Sequence, residues 1–165
     1  MIDKFKRGGI TYYRFQTTSN GTKGCDWIPC LEQMGKFITP SAKRFLTSEL
    51  FMETSGVTTE IVVPKTLFPG DPRMVICIEE IWNRAIEQNL KPLSVENICL
   101  ILMTLTDADL LQMGVNWVIG MSKLVGIPPT MLGAGRNYNG PPRLAVFGAD
   151  PKDRLRRTDG CAFAL

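Results

Sequence analysis

The sequence predicts an α+β fold: a mainly helical core, made of three central helices plus one or two N-terminal helices, with a small antiparallel sheet near the N-terminus. Three observations predict it. Residues 71–132 hold three successive segments with helical apolar spacing and recognisable end signals. Ile10–Thr17 and Val57–Val63 are rich in β-branched and aromatic residues, the composition of strands. Residues 133–165 are rich in glycine, proline and charge and sustain neither period. At 165 residues the chain suits a single domain, 1–165, with room for a sizeable core.

The chain opens on a basic arm, residues 1–9, that carries Lys4, Lys6 and Arg7 and ends in a glycine pair. The strand Ile10–Thr17 follows. Asn20-Gly21 is a turn signal, so a hairpin returning through Thr22 to Trp27 is expected. Tyr12, Tyr13 and Phe15 around Arg14 have the chemistry to stack on bases and hold phosphate, although aromatics in a strand more commonly pack a core. Pro29 to Ile38 fits a short helix. Thr39-Pro40 opens another, running to about Thr54, because threonine caps and proline suits the first helical position. Val57–Val63 ends at Pro64, and 64–69 links to the central helical block, 71–132.

In that block, Asp71-Pro72 reads as the start of a helix reaching Asn89, with Val75, Ile78, Ile81, Trp82, Ala85 and Ile86 on one face. Ser94 caps a second helix that runs to about Leu105 and is apolar nearly all round, which marks it as core. It is too short to cross a bilayer, which takes roughly 20 apolar residues. Thr106 and Asp109 open a third helix as a capping box, and Gly126 with Pro128-Pro129 closes it. The run Leu105-Thr-Asp-Ala-Asp-Leu-Leu-Gln-Met-Gly-Val115, continuing to Leu124, resembles the C-terminal half of a sterile alpha motif domain. That resemblance implies self-association and, in some members, RNA binding.

Residues 133–165 read as a Gly/Pro-rich loop followed by a basic C-terminal arm. The loop, Gly133 to Pro142, carries Arg136 and Tyr138 and has neither the dinucleotide nor the P-loop spacing. Arg143–Gly148 fits a short strand. The arm holds Lys152, Arg154, Arg156 and Arg157 among three aspartates and ends on an apolar tip. Charge is unevenly distributed along the chain. Residues 1–70 and 133–165 each carry a net +3, and residues 71–132 carry −3, so basic ends flank an acidic middle.

The chain has no histidine, which removes the commonest general base and every Ser-His or Cys-His nucleophile. Cys25 and Cys30 are spaced too widely for a zinc pair, and no second pair exists. No catalytic residue, cofactor or metal site is expected, and five cysteines without an export signal fit a reducing compartment. The expectation is a non-enzymatic, self-assembling structural protein of the kind that serves as a virion, matrix or nucleocapsid component of viruses and phages. It would form a homo-oligomer, be cytoplasmic or virion-borne, have no transmembrane segment, and contact a neighbouring subunit, nucleic acid or an anionic membrane surface. The alternatives are a small RNA-binding protein and an adaptor or inhibitor that docks one protein partner. The residues expected to contact nucleic acid or another anionic partner are Lys4, Lys6, Arg7, Arg14, Arg136, Arg143, Arg154, Arg156 and Arg157.

Overall fold

Strict alternation from Ile10 onward sets the first long strand and, through it, the architecture. In β2 (Ile10–Asn20), Tyr13, Phe15, Thr17 and Ser19 face one side, while Ile10 and Tyr12 face the other. Both sides are buried, so β2 needs cover on both faces. A computed structural model describes residues 2–122, 130–137 and 139–165 of the chain, without the Asn137 side chain. Its centre is an eight-stranded mixed sheet in the order β1-β2-β4-β10-β6-β7-β8-β3. The strands are β1 (Asp3–Arg7), β3 (Phe37–Ile38), β4 (Ser55–Pro64), β6 (Trp117–Gly120), β7 (Thr130–Asn137), β8 (Gly140–Gly148) and β10 (Asp159–Ala164). Neighbours are antiparallel except for β10 with β6 and β3 with β8.

One face is covered by α1 (Gly24–Gln33), α2 (Pro40–Leu46), α4 (Val95–Thr104) and α5 (Asp107–Met113) over Tyr13, Phe15, Ile61, Val63, Val118, Leu132 and Leu144. The other is covered over β2, β4 and β10 by α3 (Ile78–Glu87) and a two-stranded ribbon of β5 (Val75–Cys77) and β9 (Arg154–Arg156). Trp82 of α3 meets Phe163 of β10 edge-on at 5.9 Å between ring centroids. The fold is therefore sheet-dominated, with five short helices among the described residues. The helical core with a small N-terminal sheet is overturned.

Several elements differ from expectation for identifiable reasons. Asp71-Pro72 does not start a helix, because Val75–Cys77 pair with Arg154–Arg156 and α3 begins only at Ile78. The third helix stops at Gly114, which takes a left-handed conformation (φ 74°) as the C-cap, and Trp117–Gly120 becomes a strand. The stretch that resembles a sterile alpha motif domain is thus a short helix followed by a strand among the described residues. The expected cap at Gly126 and the Pro128-Pro129 stop lie outside the described residues, as does Tyr138. Asn20-Gly21 turns the chain into α1 rather than into a hairpin, and the partners of β2 are β1 and β4. The α1 helix forms because Gly24, Trp27 and Leu31 share one buried face. Gly24 is required there, since a Cβ would strike the Leu46 carbonyl and the Phe51 ring. The helix from Thr39 ends at Leu46, not Thr54. Glu96, in the first turn of α4, is fully buried, and its Oε2 accepts the Thr54 N–H at 2.7 Å and the Thr54 hydroxyl at 2.8 Å.

Neither end of the chain is a free arm. Asp3–Arg7 forms an edge strand, and Asp159–Ala164 lies inside the sheet between β4 and β6. The expected Gly/Pro-rich loop is the β7–β8 hairpin. The predictions that match are β2 from Ile10, β4 around Val57–Val63, α4 behind Ser94, and the Thr106–Asp109 capping box, which is reciprocal. The cysteines are free thiols, and burial pushes Cys161 up to about 12. Among the described residues, no helix is long and apolar enough to cross a membrane.

Three of the seven carboxylates of the acidic middle, Asp71, Glu80 and Glu87, pair with its own arginines. Arg73 donates to both Asp71 and Glu80, and Arg84 to Glu87. The hydrogen bonds from Arg73 hold Asp71 at about 2 and lower Glu80; bonds from Arg14 and from the Thr106 hydroxyl lower Asp3 and Asp109. A carboxylate depressed in the folded state stabilises above its unfolded pKa and loses that contribution as pH falls through the folded value. The melting temperature should accordingly fall between about pH 4 and pH 2. Arg73→Ala should flatten that fall, as followed by circular dichroism.

Candidate functional site

The site is built on one row of side chains that crosses the sheet on its α3 face. Register places Asp159 of β10 beside Trp117 of β6, Trp117 beside Gly135 of β7, Gly135 beside Arg143 of β8, and Arg143 beside Phe37 of β3. Gly135 has no side chain, and the Trp117 ring lies over the space a Cβ would fill. The Arg143 guanidinium carbon sits 4.9 Å from the centroid of that ring, a cation–π contact. Phe147 supports Trp117 from the next row, edge-on at 5.0 Å, over the space left by Gly133. Trp117, Arg143 and Phe147 remain half-buried, whereas Ile119 and Phe163 on the same face are fully buried.

The row forms the floor of a pocket of about 240 Å³ that Arg136, Arg143 and Arg156 line together with Trp117 and Asp159. Asn116, Asn139 and Thr158 complete it. Backbone bonds hold the rim, since Arg136 N–H donates to Asn116 and Asn116 N–H to Thr158, at 2.9 and 2.8 Å. The irregular register between Gly135 and Asn137 sets the strand end where Arg136 lies. Arg143 and Arg156 make no ion pair among the described residues. The Nε of Arg143 is buried without a hydrogen-bond partner. Asp159 is half-buried, and its Oδ2 accepts the Arg156 N–H at 3.1 Å. Burial raises the Asp159 pKa, against the Arg156 N–H bond and charge.

The nine basic residues expected from the sequence fall into separate places. Arg136, Arg143 and Arg156 converge on this pocket. Arg154 is exposed on the same strand as Arg156. Arg157 lies in an adjoining cavity, where it donates to the Phe68 carbonyl at 3.0 Å and sits 3.9 Å from Asp71. Lys4, Lys6, Arg7 and Arg14 belong to the opposite end of the sheet. Six strand spacings separate β1 from β8, roughly 29 Å. There Arg14 is paired with Asp3 and Glu60, Arg7 donates to the Gln88 carbonyl at 2.6 Å, and Lys4 stands over the Tyr13 ring. Lys6 is exposed, and charges of this kind on an edge strand discourage pairing with another chain. Tyr12, Tyr13 and Phe15 are core, each at most 5% exposed.

Sequence reasoning missed Trp117 and Asp159. A signal for Trp117 existed in Gly133 and Gly135, small residues two apart that clear one face of a strand for large cross-strand neighbours. Asp159 carried no local signal. Comparison with protein-family models, with curated proteins and with solved structures finds no match to this chain.

Proposed function

We propose that this protein binds single-stranded nucleic acid, gripping phosphates in the Arg136–Arg143–Arg156 pocket; it is a binding protein and not an enzyme. The observation that carries the reading is Arg143. Its guanidinium is oriented by the Trp117 ring instead of by a carboxylate, so its charge and terminal amino donors stay available to an anion. A planar fork held in place loses little entropy on meeting a phosphate. A pocket of about 240 Å³ admits a phosphate and part of its unstacked nucleotide but not a duplex.

Self-assembly by basic ends on the acidic middle finds less support. Asp71, Glu80 and Glu87 already have arginine partners, and both ends are strands of the sheet. The test is fluorescence anisotropy with a labelled single-stranded RNA and its duplex at 50 and 200 mM salt, beside light scattering. Two to three phosphate contacts predict a log–log salt slope of about −1.5 to −2, and so roughly a tenfold loss of affinity across that range. The single strand should bind more tightly. No binding, or binding indifferent to salt, refutes the proposal, and a large assembly free of nucleic acid would favour the self-assembly reading instead.

A further inference from the structure

A pocket built only for phosphate has no use for a carboxylate. Like charge repels the ligand, and the half-buried Asp159 stands among the arginines that would hold it. Its position is set by register, since it shares the row with Trp117, Gly135 and Arg143. Among the described residues, only one of its oxygens is used. Oδ2 accepts the Arg156 N–H, and Oδ1 has no hydrogen-bond partner among the described residues. The pocket therefore offers guanidinium donors and one unused carboxylate acceptor. A ligand that satisfies both has an anionic part and a hydrogen-bond donor.

We infer that Asp159 reads the base of the bound nucleotide, accepting a hydrogen bond from an exocyclic amino group through Oδ1 and so favouring cytosine over uracil. This rests on the proposed binding of single-stranded nucleic acid at the same pocket. Cytosine presents an amino donor at the position where uracil presents a carbonyl oxygen, and a carboxylate accepts from the first and repels the second. Losing a hydrogen bond to a charged group costs about tenfold in affinity or more.

The experiment compares two RNAs that differ at one position, cytidine or uridine, on the full chain and on Asp159→Asn. The substitution is nearly isosteric. The asparagine oxygen can still accept the Arg156 N–H, and replacing a half-buried carboxylate removes a desolvation cost, so the variant should fold. The unmodified protein should bind the cytidine RNA about tenfold more tightly. In Asp159→Asn the amide can donate to the uracil carbonyl, so the preference should vanish or reverse while the salt slope stays the same. Equal affinity of the unmodified protein for both RNAs overturns the inference and leaves the binding proposal standing. So does a uniform rise in affinity for both in Asp159→Asn, which would make Asp159 only a repulsive charge. Absence of binding to either RNA overturns both.

Discussion

A chain that stops at Thr158 is expected not to fold. The missing strand, β10, is interior, pairing through Phe163 and Ala164 with β4 and through Asp159 to Ala162 with β6. Its removal would strip backbone partners from two buried strands and leave Val62, Ile119 and Trp82 facing a void. Phe163 is fully buried, and Phe163→Ala alone should cost about 3–5 kcal/mol. A domain of this size has only about 5–15 kcal/mol in total. Far-UV circular dichroism and a thermal melt check this: the truncated chain should show no cooperative transition. A C-terminal arm lying on the surface would give the opposite result, an unchanged melt.

The second large effect belongs to Arg143. Arg143→Ala should weaken binding of single-stranded RNA by tenfold or more, the ~1.5–3 kcal/mol of a charge-assisted hydrogen bond, and should lower the salt slope by roughly 0.7. Arg143→Lys should recover only part of this, because lysine lacks the planar fork that lies on the Trp117 ring. Gly135→Ala should also weaken binding without changing any charge, since its Cβ would displace that ring. Arg14→Ala is the control. Arg14 is equally cationic but already paired with Asp3 and Glu60 at the far end of the sheet, so its loss should leave affinity unchanged. Equal losses in Arg14→Ala and Arg143→Ala would mean that only net charge matters.

The same contrast between the two arginines shows what could be read along the chain. Both were recognisable as basic residues, Arg14 among aromatics in a strand and Arg143 at the start of an expected strand. Which one is neutralised depends on strand pairing: β1 and β4 bring Asp3 and Glu60 to Arg14, whereas β6 brings the Trp117 ring and no carboxylate to Arg143. The gathering of Arg136, Arg143 and Arg156 likewise depends on β9 pairing with β5 and on β10 returning beside β6. The charge profile correctly located basic segments but carried no information about this pairing.

By itself the sequence determined the locally signalled elements. These are the alternating strands from Ile10 and around Val57, the helix behind Ser94 and the capping box at Thr106. In each, the interactions that decide the conformation join residues a few positions apart. Only the tertiary structure decided that Trp117–Gly120 is a strand, that the glycine-rich stretch after Thr130 is a hairpin, and that Asp159–Ala164 belongs in the middle of the sheet. The hairpin stretch is poor in side chains, and the other two segments are short and close their hydrogen bonds over long separations, as between Trp117 and Asp159. Strand pairing across such distances is rewarded only once the whole sheet forms, so no local window records it.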